Sequence, residues 1–346
     1  DGDATVLEMT GFSSVIDYDP AELVLTVGAG ARLSEVEALV ASHGQALAFD
    51  PFDHGPLFNE SAGASTIGGI IAAGVAGPRR LTKGAARDHL LGFEAVSGRG
   101  ERFIGGAKVV KNVTGFDLPK LMAGSWGRLA ALTQVTLKVL PRPKAQHTKL
   151  VTGLDVRDAL RLIAKVMRST AEVGAAAHIP CAAAYGGRPV TALLLEGFPS
   201  SVEARCEMLD DLLEGCAQAA TIEGEACAGF WREIATAKPL GHERPLWRIV
   251  APASRAPAIA QSLGLRPEDQ LFDWAGGLLW IAYDGDPARV RAAAEAADGQ
   301  AMLVRAPAPM RPSTPAFHPP APGVASLQSR VRHAFDPLCV FETGRF

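Results

Sequence analysis

The sequence predicts an α+β protein of two domains, and three observations lead there. Its 346 residues suffice for about two domains of ~150 residues, each with its own core. Strand-type runs recur, as in "QVTLKVLP", where Val135, Leu137 and Val139 alternate with Gln134, Thr136 and Lys138, the pattern of a strand with one wet face. A proline-marked break, "PRPK" at 141–144, separates a glycine-rich first part from a second part in which strands alternate with helices. The expected division is therefore 1–144 and 145–346.

In chain order, "ELVLTVG" at 22–28 predicts a strand, and Ser34 with Glu37 forms an S-x-x-E capping box that predicts a helix over 34–42. The turn between them, "GAGARL", carries two of the three glycines of a dinucleotide fingerprint, Gly28 and Gly30, with Leu33 where the third would stand. A plain strand-turn-helix and a nicotinamide site both stay open there. "LLGFEAVSGRGERF" reads as a hairpin turning at Gly98 and Gly100. Beyond the break, "TALLLEG" precedes a helix from Ser201, "LWRIVAP" one near 255, and "LLWIAYDG" one from Asp286 and Pro287, before "AMLVRAP". Two such groups predict a compact domain with an antiparallel sheet. Residues 305–323, rich in proline, read as an irregular arm leading to a final helix, "ASLQSRVRHAF".

Composition narrows the function classes. With 48% apolar and 21% charged residues and a net charge of −3, the chain is neither disordered nor an extended nucleic-acid binder. Cys181, Cys206, Cys216, Cys227 and Cys339 contain no C-x-x-C pair, so neither zinc nor an iron–sulfur cluster is expected, and free thiols in a reducing cytoplasm are. No apolar run reaches the ~18 residues of a membrane span. The chain opens on "DGDATVLEM" without Met, which suggests a start inside a longer gene.

The most informative stretch is "ESAGASTIGGIIAAGVAGPRR", residues 60–80: from Ser61 to Gly77 all but four residues are Gly, Ala, Ser or Thr. Side chains this small let backbone approach a ligand, and successive amides in glycine-rich turns cradle anions. The competing reading, a helix packed through Ala and Gly, costs ~1 kcal/mol for each glycine that replaces alanine. A second stretch, "KNVTGFDLPKLMAGSWGRLAALTQVTLKVLPRP", repeats the habit at Gly115, Gly124 and Gly127. Two such elements in one domain imply one elongated, phosphate-bearing ligand.

Together these two stretches resemble the FAD-binding domain of the vanillyl-alcohol oxidase/p-cresol methylhydroxylase superfamily. More narrowly, "GPRR", "VVKNVTGFDLPKLMAGSWG", "FWREI" and "LWRIVAP" resemble the FAD-binding subunits of bacterial glycolate oxidases over nearly the whole chain. The resemblance implies a p-cresol methylhydroxylase-type domain in 1–144 and a cap domain in 145–346 whose last segment returns to the flavin side. It also implies a further strand-turn-helix unit ahead of residue 1, so the FAD domain is expected to be N-terminally truncated here. Flavin contacts carried over from the family fall on Ser61, Thr66, Gly68, Gly69, Ala73, Gly74, Val75 and Ala76, bordering the pyrophosphate and ribityl chain, and on Ala131, toward the adenine. Gly69 is expected to lie against the cofactor in a conformation that only glycine tolerates. Phe116 and Asp117 occupy the place of a Tyr-Asp pair, without the hydroxyl; Glu342, Thr343 and Gly344 stand where the family ends in "NPG".

The implied activity is dehydrogenation of glycolate or a related 2-hydroxy acid, or electron relay, in a cytoplasmic hetero-oligomer that meets the membrane only through its partners. A sister flavin subunit is expected to oxidise substrate and an iron–sulfur subunit to pass electrons on. Such a substrate needs a cation for its carboxylate and a base at its hydroxyl. Arg79, Arg80, Arg87, His178 and His318 are the available groups, although a solvated surface role is the commoner fate of such residues. Two rivals remain at this point: a nicotinamide-dependent dehydrogenase using Gly28 and Gly30, and a non-catalytic scaffold that has lost its flavin.

Overall fold

The computed structural model describes residues 5–107, 115–216 and 218–342. The chain divides into two compact units: Asp1–Gly55, Glu60–Arg142 and Pro319–Phe346 form the first, and Pro56–Asn59 with Pro143–His318 the second.

Among the described residues, the first unit is built on six strands: β1 (Val15–Asp19), β2 (Val24–Gly28), β3 (Gln45–Leu47), β4 (Leu90–Ser97), β5 (Arg102–Gly106) and β6 (Ala130–Pro141). Their order is β1-β2-β6-β4-β5, with β3 paired to β6, and every pairing is antiparallel. β6 is central and touches three neighbours, which alters the reading of its polar face. Thr136 is buried, and its hydroxyl meets that of Thr26 at 3.0 Å. The alternation in "QVTLKVLP" therefore marks a strand covered on both faces in its middle, where Val135, Thr136, Leu137 and Val139 are buried and Gln134 and Lys138 are half-exposed.

Among the described residues, five helices belong to this part of the chain: α1 (Leu33–Ser42), α2 (Ile67–Ala73), α3 (Arg80–Lys83), α4 (Ala86–His89) and α5 (Leu118–Met122). α1 begins at Leu33, with Arg32 at its N-cap and no side-chain cap bond, so the Ser34–Glu37 capping box does not form. The hairpin glycines divide their work. Gly100 has φ +76° and makes the turn. Gly98 instead leaves space for Asp336, whose carboxylate would overlap any Cβ there, while its N–H donates to Phe335 O at 3.1 Å. Asp336 is 5% exposed and accepts the amides of Val340 (2.9 Å) and Phe341 (2.8 Å), so it organises the end of the C-terminal arm.

The second unit holds β7 (Ala145–Thr152), β8 (Ala175–Ala182), β9 (Arg188–Gly197), β10 (Gln218–Glu223), β11 (Leu246–Val250), β12 (Gln270–Asp273), β13 (Leu278–Ala282) and β14 (Gln300–Arg305). They form one antiparallel sheet in the order β10-β7-β9-β8-β12-β13-β11-β14. α6 (Val156–Val166), α7 (Pro199–Leu212), α9 (Ala256–Leu263) and α10 (Pro287–Ala296) cover one face, with Trp247, Ile249, Phe272, Leu279 and Ile281 beneath them. α8 (Gly224–Ala235) packs on the other, where Trp231 Nε1 donates to Thr148 Oγ1 at 2.8 Å. α10 begins as predicted, with Pro287 at its first position and Asp286 accepting the Ala288 amide. α7 begins at Pro199, two residues before Ser201. The prolines after 305 lead into α11 (Pro322–Phe335). All five cysteines are free, and among the described residues no helix is long and apolar enough to cross a membrane.

His178 lies in β8 at 0% exposure, with Nδ1 3.0 Å from Thr191 Oγ1 on the paired strand. Burial drives its pKa down to about 4, against a smaller opposing effect of Asp155. Unfolding returns it to an ordinary value near 6.5, so the unfolded chain binds the extra proton. Stability should be flat above about pH 7 and fall between pH 6.5 and 4, by about 3 kcal/mol in all from this one group. Urea midpoints across that range should decline for the native chain and lose most of this decline in His178→Asn; equal pH slopes in the two proteins would contradict the assignment.

Candidate functional site

The turn after β2 settles the nicotinamide reading. Gly28, Ala29 and Gly30 are buried, and their amides donate to Ser14 O, Thr133 O and Phe12 O, each at 2.9 Å, while Ala31 N–H returns to Gly28 O at 3.1 Å. Carbonyls of Phe12 and Met9 occupy the space a Cβ would need at Gly28 and Gly30. These glycines admit the chain's own backbone, and the amides a pyrophosphate would require are already bonded. β2 also lies in an antiparallel sheet, without the parallel βαβ unit of a dinucleotide fold. The dehydrogenase reading of Gly28 and Gly30 is overturned.

The small-residue stretch is a turn followed by a helix. Leu33 N–H bonds Ser65 O (2.9 Å) and Ile67 N–H bonds Ala31 O (2.9 Å), which lays the segment against the start of α1. Thr66 caps α2, its Oγ1 accepting the Gly69 amide at 3.2 Å. Ile67, Ile70 and Ile71 are at most 1% exposed, and each contributes about 1.5–3 kcal/mol of burial. That outweighs the helix penalty of the glycines, so the stretch is helical despite its composition.

Each glycine here has a distinct reason. A Cβ on Gly68 would sit 2.7 Å from Cβ and O of Ala29, and its N–H donates to Ala29 O at 2.7 Å. Gly74 ends α2 at φ +65°, and its Cβ would lie 3.0 Å from the Gly124 Cα. Gly124 N–H and Trp126 N–H reach back to Ile71 O and Ala72 O, so the two glycine-rich stretches are packed on one another. Gly77 admits Asp50, whose carboxylate also pairs with Arg79 at 2.6 Å. Gly69 differs: it is exposed, has ordinary helical φ, and its Cβ would meet only Thr66 Oγ1, at 3.2 Å. The expectation of a φ that only glycine tolerates fails for Gly69, and what its missing side chain leaves is an open surface.

The exposed and half-buried residues of this stretch are small. Ser61, Ala62, Gly63 and Ala64 are exposed, and Thr66, Ala73, Gly74 and Ala76 half-buried; Val75 is buried and belongs to the core. Ala131 is half-buried on β6, opposite Val96. The turn is held from beneath by two ions. Asp53 accepts the amides of Gly55 (2.8 Å), Gly63 (2.9 Å) and Ser65 (3.3 Å), and Arg32 donates to Gly63 O (3.3 Å) and Ala64 O (2.8 Å). Burial alone would raise the Asp53 carboxyl, but these amides and the Ser65 hydroxyl hold it below the ordinary value. Nothing in the spacing of Asp53 or Arg32 announces this role; only the fold brings them under the turn.

The remaining expected residues have other work. Asp117 caps α5, accepting the Lys120 amide at 3.2 Å, and Phe116 is 93% exposed. Val109, Val110, Lys111, Asn112, Val113 and Thr114 of "VVKNVTG", and Thr343 and Gly344, lie outside the described residues. Glu342 pairs with Arg128 (2.8 Å) and Arg332 (2.6 Å). Of the substrate-binding candidates, Arg79 pairs with Asp50, Arg87 donates to Lys120 O (3.1 Å), and His318 joins the Ala301 amide (3.3 Å) to Glu295 (3.3 Å). Arg80 opens α3, half-buried. His178 is sealed in a sheet.

Comparison with known proteins agrees with this arrangement. Residues 1–104 match the FAD binding domain family. Two solved structures of an alkyldihydroxyacetonephosphate synthase superpose with TM-scores of 0.67 and 0.66 over 96% of this chain and 66% of theirs, at 14% identity, which establishes the fold alone. The protein is thus a two-unit flavoprotein of the p-cresol methylhydroxylase type, an FAD-dependent oxidoreductase by family, with FAD as its cofactor. Glycolate oxidase subunit GlcE of Escherichia coli K12 is 32% identical over 98% of this chain and 86% of its own length. The chain belongs to the family of that subunit. Glycolate oxidase subunit GlcD of Bacillus subtilis is 29% identical over 58% of this chain and 40% of its own, and a D-lactate dehydrogenase of Archaeoglobus fulgidus 30% identical over 44% and 32%.

The residues present fit an FAD. The open small-residue face around Gly69 presents backbone without side-chain cover, and among the described residues the amides of Ala64 and Ala76 have no acceptor. Gly68 and Gly69 make a direct contrast. Gly68→Ala forces Ala29 and α2 apart and should cost about 1–3 kcal/mol; Gly69→Ala should change stability by less than about 1 kcal/mol. Urea denaturation of both variants measures the difference, and equal losses would contradict the packing described.

Proposed function

We propose that this chain is the FAD-binding subunit of a glycolate, or related 2-hydroxy acid, oxidase complex. The observation that carries the reading is the identity with GlcE across 98% of the chain, joined to an open small-residue face on its FAD binding domain. Ser61, Thr66, Gly69, Ala73, Gly74, Ala76 and Ala131 would hold the cofactor through backbone and hydroxyl groups. Gly68 and Val75 would support it from below, since one receives Ala29 and the other is core. When bound, FAD supplies a ring that accepts a hydride from the carbon bearing the hydroxyl.

The side chains support a division of labour. Arg79, Arg87, His178 and His318 are engaged in structural bonds, which supports a role in flavin binding and electron relay for this chain, with substrate oxidation on a sister flavin subunit of the GlcD kind. An iron–sulfur subunit would complete the path, since the five cysteines here are free thiols without cluster spacing. The assembly would work in the cytoplasm. A flavin-free scaffold is the weaker alternative, because a scaffold has no need of an uncovered run of glycine and alanine.

Two measurements test the proposal. Gly69→Val places a branched side chain on the open face, so flavin per polypeptide and affinity should fall at least about 10-fold while far-UV circular dichroism is kept. Gly229→Val, in α8 with its nearest neighbour 3.8 Å away, serves as control and should keep its flavin. Wild-type stoichiometry and affinity in Gly69→Val would sink the assignment. Glycolate-dependent dye reduction should require the sister subunit; full turnover by the isolated chain would contradict the relay role.

A further inference from the structure

We infer that Asp53 and Arg32 are positioning residues that fix the 61–66 turn in its flavin-receiving conformation before any flavin arrives. The inference rests on the cofactor reading above and adds to it the groups that preorganise the site.

Three consecutive peptide planes carry the brace. In a trans peptide the C=O and N–H point in opposite directions. The Gly63 N–H faces Asp53 and the Ser65 N–H faces the same carboxylate, while Gly63 O and Ala64 O face the Arg32 guanidinium. The 64–65 peptide is therefore gripped at both ends, its carbonyl by the cation and its amide by the anion. The 63–64 peptide is gripped at its carbonyl only, which turns the Ala64 N–H away from Arg32. Among the described residues that amide has no acceptor, and Gly63 and Ala64 are exposed. Gly63 has φ +106° with nothing within 4 Å of where a Cβ would stand, so this peptide has little of its own to hold it. Gly55 ties the base of the turn to the same carboxylate, and the Ser65 hydroxyl accepts from the His54 amide at 3.0 Å.

Four charge-assisted hydrogen bonds on this turn of small residues, with a fifth from Asp53 to the Gly55 amide at its base, are more than its few side chains need for burial. Their common effect is to aim the Ala64 N–H, with its small neighbours, outward as a ready donor. A turn ordered in advance binds more tightly because its ordering entropy is spent in folding rather than in association.

The test uses the full chain with FAD, comparing wild type, Asp53→Asn, Asp53→Ala and Arg32→Met. Backbone hydrogen exchange in the flavin-free protein reads the brace, and flavin titration reads its consequence. The Gly63 and Ser65 amides should exchange at least about 10-fold faster in Asp53→Ala, with FAD affinity about 10-fold weaker and the loss partly rescued in Asp53→Asn, which keeps one acceptor oxygen. Urea midpoints should move little, because the core under α2 is untouched. Unchanged exchange at Gly63 and Ser65 would overturn the brace. Faster exchange with affinity within twofold of wild type would overturn preorganisation while leaving the cofactor reading intact. Failure of the wild type itself to bind FAD would refute the cofactor reading, and the present inference with it.

Discussion

A seven-residue helix seated so closely on a strand turn that no Cβ fits between them governs the first unit. Gly68 meets Ala29 at backbone distance, and Ile67, Ile70 and Ile71 drive that contact by burying themselves below. The same approach brings Ile67 N–H to Ala31 O and Leu33 N–H to Ser65 O, so the 61–66 turn is tied to the start of α1. At the other end of α2, Gly74 meets Gly124 and binds the second glycine-rich stretch to the first. Small residues thus have two separate uses here: some admit backbone to backbone, and others leave surface uncovered. Confusing the two would assign Gly68 and Gly69 the same role when their environments are opposite.

The second unit obeys a different constraint, an eight-stranded antiparallel sheet whose central strands are buried on both faces. That sheet absorbs the histidine that looked available for chemistry. His178 is neutral because it is enclosed, and its partner is the threonine opposite it in the register. Here electrostatics serves the fold, whereas in the first unit Asp53 and Arg32 sit at the margin of an exposed turn and serve its shape.

Much of the architecture was legible in the sequence where local signals are strong. The Asp286–Pro287 start of α10, the β4–β5 hairpin, and the strands β2 and β6 follow from caps, turns and alternation, although β2 begins only at Val24, after a turn that takes in Glu22 and Leu23. Misreadings arose where tertiary contact overrides local preference. The Ser34–Glu37 box yields to a helix start at Leu33 dictated by Ser65 O, and the glycine penalty in α2 yields to three buried isoleucines. Gly28 and Gly30 imitate a nucleotide turn because close backbone approach needs glycine whether the visitor is a phosphate or a neighbouring carbonyl. Asp53 and Arg32 gave no signal at all, since their partners are main-chain groups 2 to 12 and 31 to 32 residues away. The small-residue stretch itself was conspicuous by composition, but composition could not say which of its glycines face outward.

The account turns on one surface being the place where flavin lies. Amide hydrogen exchange of the full chain, recorded with and without saturating FAD, locates that surface directly. The account predicts new protection at Ala64 and Ala76, whose amides have no acceptor among the described residues, with little change at Gly28 and Gly30, whose amides are already bonded within the chain. Protection concentrated at Gly28 and Gly30, or saturating FAD binding that leaves residues 61–76 exchanging as before, would contradict it.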